Sequence, residues 1–204
     1  MLAPVHQDDA GDRQLVGILL FDEVEVLDFA GPFEVFSGTR APDGSAYVDV
    51  VTIGAAAEIT ARGGVRVRPT YHVGACPRLD ALIVPGGPGA DHPSEMQRLR
   101  LLPFIRDHAA DTAVVASVCT GAFLLGRAGL LDGRTATTHT AALSRLRSEF
   151  PAADVIEAKV VDEGAILTAA GVSSGIDLAL HLLERWFGDE ARARAAHNLD
   201  GAWI

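Results

Sequence analysis

Residues 113–131 read AVVASVCTGAFLLGRAGLL, and the order of residue types in that stretch decides the fold. Residues 113–118 form a short run that is apolar except for Ser117, the pattern of a strand buried on both faces of a sheet. From residue 120 to residue 128 the spacing becomes helical, and Gly129 stands where a C-cap glycine belongs. Cys119 lies between the two, on a tight strand-to-helix turn. A side chain on such a turn projects above the carboxyl end of the sheet, the geometry of the serine nucleophile elbow, although the GxSxG signature is absent. A helix beginning at Thr120 places its positive end beside the sulfur. That predicts a thiolate, with the pKa pulled from about 8.5 into the roughly 3.5–7.5 range of activated cysteines. The competing reading is an inert buried thiol, since free cysteine is among the most buried residue types.

Working outward, residues 15–20 (LVGILL) and 81–84 (ALIV) also read as buried strands, and residues 47–53 (YVDVVTI) as a further strand. A short helix follows the first of them, opened by Asp28 as an acid able to cap, with Pro32 near the first turn and Gly38 at the end. Ile59 and residues 65–68 flank Gly63-Gly64 as a small hairpin off the main sheet. Residues 94–109 have helical spacing that puts Leu99, Leu102 and Ile105 on one face. Beyond the cysteine come a strand at 135–138, a helix at 141–150 and a hairpin of residues 156–161 and 165–170. Helices at 171–187 and 189–198 follow. Strands alternating with helices predict a mostly parallel sheet covered on both faces, in one domain spanning residues 15–204 after a polar extension of residues 1–14. In such sheets the ligand site lies beyond the carboxyl ends of the strands.

Bulk properties narrow the function. A net charge of −10 argues against nucleic acid and against an anionic membrane surface as partners. No apolar run is long enough to span a bilayer, and residues 1–14 lack the cationic start and apolar stretch of a signal peptide. The two cysteines, Cys76 and Cys119, are too few for a disulfide framework or a structural zinc site, so a reducing cytoplasm is the expected setting.

Two further segments fall at strand ends. In VPGGPGA (residues 84–90), Gly86 and Gly87 let backbone N–H groups approach a reacting atom, and the N–H of Gly87 with that of Thr120 would make an oxyanion hole. In LDFAGPFEVF (residues 27–36), Asp28 overhangs the same edge. It is either a helix cap or a general acid beside the thiol, while Glu34 lies further into the helix and faces a neighbour or solvent. His139, in TTHT, is the one histidine of seven at a strand end with small polar neighbours; it either orients or activates Cys119 or is a structural histidine. Cys76, in GACPRLD, has no acid or base beside it.

Together LDFAGPFEVF, DALIVPGGPGA, SVCTGAFLLGRAGLLDGRTATTHTAAL and LTAAGVSSGIDLALHLLERWFG resemble the ThiJ/PfpI superfamily over residues 15–187. Within it they resemble the isonitrile hydratase branch and the amidotransferase-like domains of AraC-type regulators. The resemblance implies a flavodoxin-like three-layer α/β sandwich, a homodimer, and hydration of an isonitrile to an N-substituted formamide without metal or organic cofactor. It assigns the nucleophile to Cys119, the neighbouring threonine to Thr120, the active-site aspartate to Asp28 and an auxiliary histidine to His139. Protease-like members have histidine after the nucleophile, where this chain has Thr120, so peptidase activity is not expected. The residue after TTH is often tryptophan in these branches and is Thr140 here, which reshapes the pocket. The regulators continue into a helix-turn-helix domain that these 204 residues do not reach, so DNA binding of that kind is not expected either. Two other readings stay open at this point: glyoxalase- or deglycase-like chemistry on reactive carbonyls, and a non-catalytic cysteine that senses stress or a metabolite.

Overall fold

The computed structural model describes residues 13–200; the predicted extension lies outside this range except for Arg13 and Gln14. Described elements run, in chain order, β1 (Gln14–Leu20), α1 (Val26–Gly38), β2 (Val48–Gly54), β3 (Ile59–Thr60), β4 (Arg66–Val67), β5 (Tyr71–His72), β6 (Ala81–Val84) and α2 (Pro88–Asp91). Then come α3 (Glu95–Asp111), β7 (Val114–Val118), α4 (Gly121–Arg127), β8 (Thr135–Ala136), α5 (Leu143–Glu149), β9 (Asp154–Val155), β10 (Val160–Asp162), β11 (Ile166–Ala169), α6 (Ser174–Phe187) and α7 (Asp189–Asn198).

The main sheet runs β10-β11-β7-β6-β1-β2-β5, parallel throughout except for the antiparallel edge strand β10. Its middle is apolar on both faces because helices cover both: every residue of β6, β7 and β11 is buried. This is the mostly parallel, doubly covered sheet that the alternation of apolar runs and helical spacing predicts, and the flavodoxin-like arrangement that the family resemblance implies. Register brings the strand ends level. Val84 pairs with Ser117 and Val118 with Ala169, so the loops after β6, β7 and β11 open on the same edge of the sheet. The turn after β1 joins them, since Glu25 N–H donates to the Gly86 carbonyl at 2.9 Å.

The predicted small hairpin is present as β3 paired antiparallel with β4, outside the main sheet. Elsewhere the structure corrects the expectations. Helix α1 opens two residues earlier, at Val26, with Glu25 at the N-cap and no side-chain cap. Asp28 therefore lies inside the first turn, not at the cap, and Pro32 is interior to the helix. The strand expected at 135–138 is only Thr135–Ala136, paired with β9 away from the main sheet. Helix α6 begins at Ser174 because residues 171–173 form a turn over the site. On α3 the face differs. Leu101, Leu102, Phe104 and Ile105 are buried, whereas Leu99 is 70% exposed, because Leu101 and Ile105 are one helical turn apart and set the stripe that meets the sheet.

Truncation tests that face. Leu101→Ala should cost about 2–5 kcal/mol in urea unfolding and Leu99→Ala no more than about 0.5 kcal/mol. Equal losses at the two positions would contradict the assignment.

Candidate active site

Cys119 holds a φ of 56°, in the left-handed region that costs a non-glycine residue on the order of 1–3 kcal/mol. Its neighbours enforce that shape. The Cys119 N–H donates to the carbonyls of Ala169 (3.1 Å) and Ala170 (2.7 Å), and its own carbonyl accepts from Thr138 Oγ1 at 2.7 Å. Helix α4 can start immediately beyond it only because residue 121 is glycine: a Cβ there would stand 2.1 Å from the Val84 carbonyl oxygen. The expected elbow is therefore present, built against the end of β6.

Gly86 is the meeting point of the site. A Cβ on it would lie 2.5 Å from the Thr120 nitrogen and 2.9 Å from Asp28 Oδ2, so a side chain there would part the acid from the elbow. Asp28 is fully buried at 0% exposure. Its Oδ2 accepts from the Gly86 N–H at 2.9 Å, while Oδ1 makes no hydrogen bond of ordinary geometry. Burial raises its pKa to about 7; the Gly86 hydrogen bond opposes this, the negative charge of Glu25 adds to it, and the Cys119 thiol opposes it. One buried carboxyl oxygen without a donor suits a protonated group.

Cys119 is 6% exposed, and burial pushes its thiol up to about 12, with the Asp28 charge adding to the effect. The backbone N–H groups of Val172 and Thr120 reach the sulfur and pull the other way. This overturns the expectation of a low-pKa thiolate. Helix α4 has seven residues and starts beside the sulfur, yet loss of water and a neighbouring carboxyl outweigh its N-terminus. Near neutral pH the pair is thus a thiol beside a carboxyl group at its own midpoint, shared between acid and carboxylate.

Of the N–H pair expected to form an oxyanion hole, Gly87 and Thr120, that of Gly87, at φ 116°, is engaged by Thr120 Oγ1 at 3.0 Å, and the N–H of the neighbouring Gly86 is taken by Asp28. The Thr120 hydroxyl donates back to the Gly87 carbonyl at 3.4 Å, so Thr120 ties the glycine loop to the elbow. The N–H groups that reach the sulfur belong to Thr120 and to Val172, a residue that sequence reasoning missed. Val172 has a φ of 34°, which no side-chain pattern announces.

His139 is half-buried and lines the same cleft. Its Nδ1 accepts from the Ala141 N–H at 3.1 Å and its ring rests on Gly171, where a Cβ would meet Cδ2 at 2.5 Å. No hydrogen bond joins it to Cys119 among the described residues, so it stands as a wall and a helix-turn cap. Glu34 is exposed on α1, away from the cleft.

The cleft above Cys119 measures about 430 Å³. Two ion pairs flank it: Arg62 Nη1 with Glu25 Oε2 at 2.5 Å, and Arg145 with Asp91. The Arg145 guanidinium also lies over the Phe123 ring, 4.1 Å from its centroid. A second cleft of about 470 Å³ lies at the amino ends of β6 and β7 and includes Cys76. Burial raises that thiol to about 11, and it donates to the adjacent Pro77 carbonyl, so it is an unactivated cysteine.

Residues 14–185 match the DJ-1/PfpI family. Isonitrile hydratase from Pseudomonas putida is 38% identical over 178 residues, covering 85% of this chain and 72% of that protein. A ThiJ/PfpI family protein from Pseudomonas syringae superposes with a TM-score of 0.78 at 25% identity, over 99% of this chain and 82% of the other. An AraC family transcriptional regulator from Pseudomonas putida shares the fold, with a TM-score of 0.77 at 22% identity over 91% of this chain and 99% of the other.

The buried acid has a measurable consequence. The folded pKa of Asp28 lies above its unfolded value, so the folded protein keeps a proton that the unfolded chain releases between pH 3.8 and about 7. Stability from this group is therefore full below that window and declines as pH rises through it. Relative to Asp28→Asn, the wild type should lose up to about 1.4 kcal/mol per pH unit across the window in urea unfolding. Parallel curves for the two proteins would contradict a raised Asp28.

Proposed function

The chain belongs to the DJ-1/PfpI family, and from that premise we propose that it is a cysteine-dependent hydratase that adds water to an isonitrile to give an N-substituted formamide. The single observation that carries this reading is a fully buried carboxyl, Asp28, raised to about 7, packed at the Gly86 loop against a buried thiol, Cys119, that lines the cleft.

The chemistry of the substrate asks for that pairing. The terminal carbon of R–N≡C bears a lone pair and becomes a good electrophile only as it gains a proton. Asp28 supplies the proton to that carbon while the Cys119 sulfur bonds to it. The thiol proton passes to the carboxylate that Asp28 has become. The product is the thioimidate R–N=CH–S–Cys119, and the acid is restored. Water then adds across C=N, with oxygen on carbon and a proton on nitrogen. Breaking the C–S bond expels the sulfur, which recovers the hydroxyl proton, and releases R–NH–CHO. The N–H groups of Thr120 and Val172 are placed to receive the sulfur as it leaves with charge. The Thr120 hydroxyl, bonded to Gly87, orients the incoming water.

The sensing reading fits the site less well. A peroxide-sensing cysteine works as an exposed, low-pKa thiolate, whereas Cys119 is buried and pushed up to about 12.

The test is turnover of a panel of alkyl and aryl isonitriles, with formamide read by mass spectrometry. A positioned acid contributes about 10²–10⁴-fold, so Asp28→Asn should lower kcat by that factor and Cys119→Ala should abolish turnover. Absence of formamide from every isonitrile, or a Cys119→Ala variant that keeps most of its activity, would contradict the proposal. Lactate formation from methylglyoxal would then point to carbonyl chemistry.

A further inference from the structure

The protein carries ten more acidic than basic residues, 27 against 17, yet two guanidinium groups line the cleft above the nucleophile. Their settings differ. Arg145 is clamped between Asp91 and the face of Phe123. Arg62 is held at its backbone and open at its head. Its N–H donates to the Val24 carbonyl at 2.9 Å, and the hairpin that carries it is stitched to the turn after β1. There Glu23 N–H donates to the Thr60 carbonyl and Thr60 N–H to Asp22 Oδ1, each at 2.9 Å. The Arg62 side chain is 62% exposed, while its partner Glu25 is only 18% exposed. Glu25 engages Nη1 alone, and a guanidinium has five N–H donors in a planar fork suited to a second carboxylate.

Between these ion pairs the wall carries the apolar Pro88, Ala142 and Val172 beside Thr120 and His139. A neutral apolar group filling the cleft would strip water from the remaining Arg62 donors and replace it with nothing, which costs free energy. A short chain ending in an anion would pack against these apolar residues and satisfy those donors. Resting on the reading that Cys119 is the reacting nucleophile, we infer that the substrate carries a carboxylate, set a short alkyl chain away from the reacting carbon and bound by Arg62.

Competitive labelling of Cys119 tests this without requiring hydratase turnover. Iodoacetate and iodoacetamide are of nearly equal size and alkylate the sulfur in the same way: a C–S bond forms, iodide leaves, and the thiol proton goes to solvent. They differ in carrying a carboxylate or a neutral amide. The ratio of their rate constants, read on the Cys119 peptide at low salt, cancels any change in thiolate fraction. In Arg62→Gln the iodoacetate-to-iodoacetamide ratio should fall about tenfold, equivalent to about 1.4 kcal/mol. Arg62→Lys should keep part of it, and added salt should reduce the wild-type ratio. A Glu25→Gln/Arg62→Gln double variant separates contact from an unmasked Glu25; its ratio should stay several-fold below the wild type. A ratio unchanged in Arg62→Gln, or restored to the wild-type value in the double variant, overturns the inference whether or not isonitriles are substrates. A falling ratio that stays low in the double variant, with no formamide from any isonitrile, upholds the anion site and removes the hydratase reading alone.

Discussion

Asp28 and Cys119 are both cut off from water where the turns after β1, β6 and β7 converge on Gly86, and neither can ionise there without a penalty. The Asp28 charge raises the thiol further, while the thiol's hydrogen bond draws the carboxyl down, so the sulfur keeps its proton and the carboxyl titrates near neutral pH. The local architecture serves that juxtaposition. Level strand ends deliver the turns, Gly86 and Gly121 leave room where a methyl group would collide with a neighbouring element, and Thr120 fastens the glycine loop to the elbow. The left-handed backbone at Cys119 is tolerated because its N–H and carbonyl are bonded to β11 and its following loop and to Thr138.

Much of this was legible in the sequence because it rests on local patterns. Buried parallel strands read as near-continuous apolar runs, and AVVASV passing into CTGAFLLGR carries both the strand and the helix that define the elbow. What was not legible depends on encounters between distant segments. An aspartate near a helix start looks like a cap until Gly86, 58 residues away, is seen to bond it. The thiol pKa went the opposite way from the helix-terminus argument because burial is a property of the assembled site and not of the turn. Val172, Glu25 and Arg62 had no signal at all: a valine with positive φ and an ion pair 37 residues apart leave no spacing to read. On α3 only Leu99 is misplaced, since Leu102 and Ile105 are buried as expected and the set around Leu101 fits the same helical periodicity.

The fold itself does not select a reaction, and proteins that share it include an isonitrile hydratase and a transcriptional regulator. Under the proposed hydratase reading, what selects is the protonation state of the sulfur and its neighbour. A sensor that must meet peroxide gains from an exposed thiolate. A substrate whose carbon must be protonated as it is attacked gains from an acid held at neutral pH next to a thiol whose proton can restore it. Lysozyme's raised glutamate is the general pattern for such an acid, a carboxyl kept protonated by an apolar pocket.

The most direct measurement is therefore the proton on Asp28 itself. Carbon-13 NMR of protein labelled at aspartate carboxyl carbons, with Asp28→Asn used to assign the resonance, follows its titration in the folded state. The account predicts a midpoint near pH 7, well above the ordinary carboxylate value of about 3.9. A midpoint near 4 would mean that Asp28 is a carboxylate at neutral pH, and the acid on which the chemistry depends would be absent.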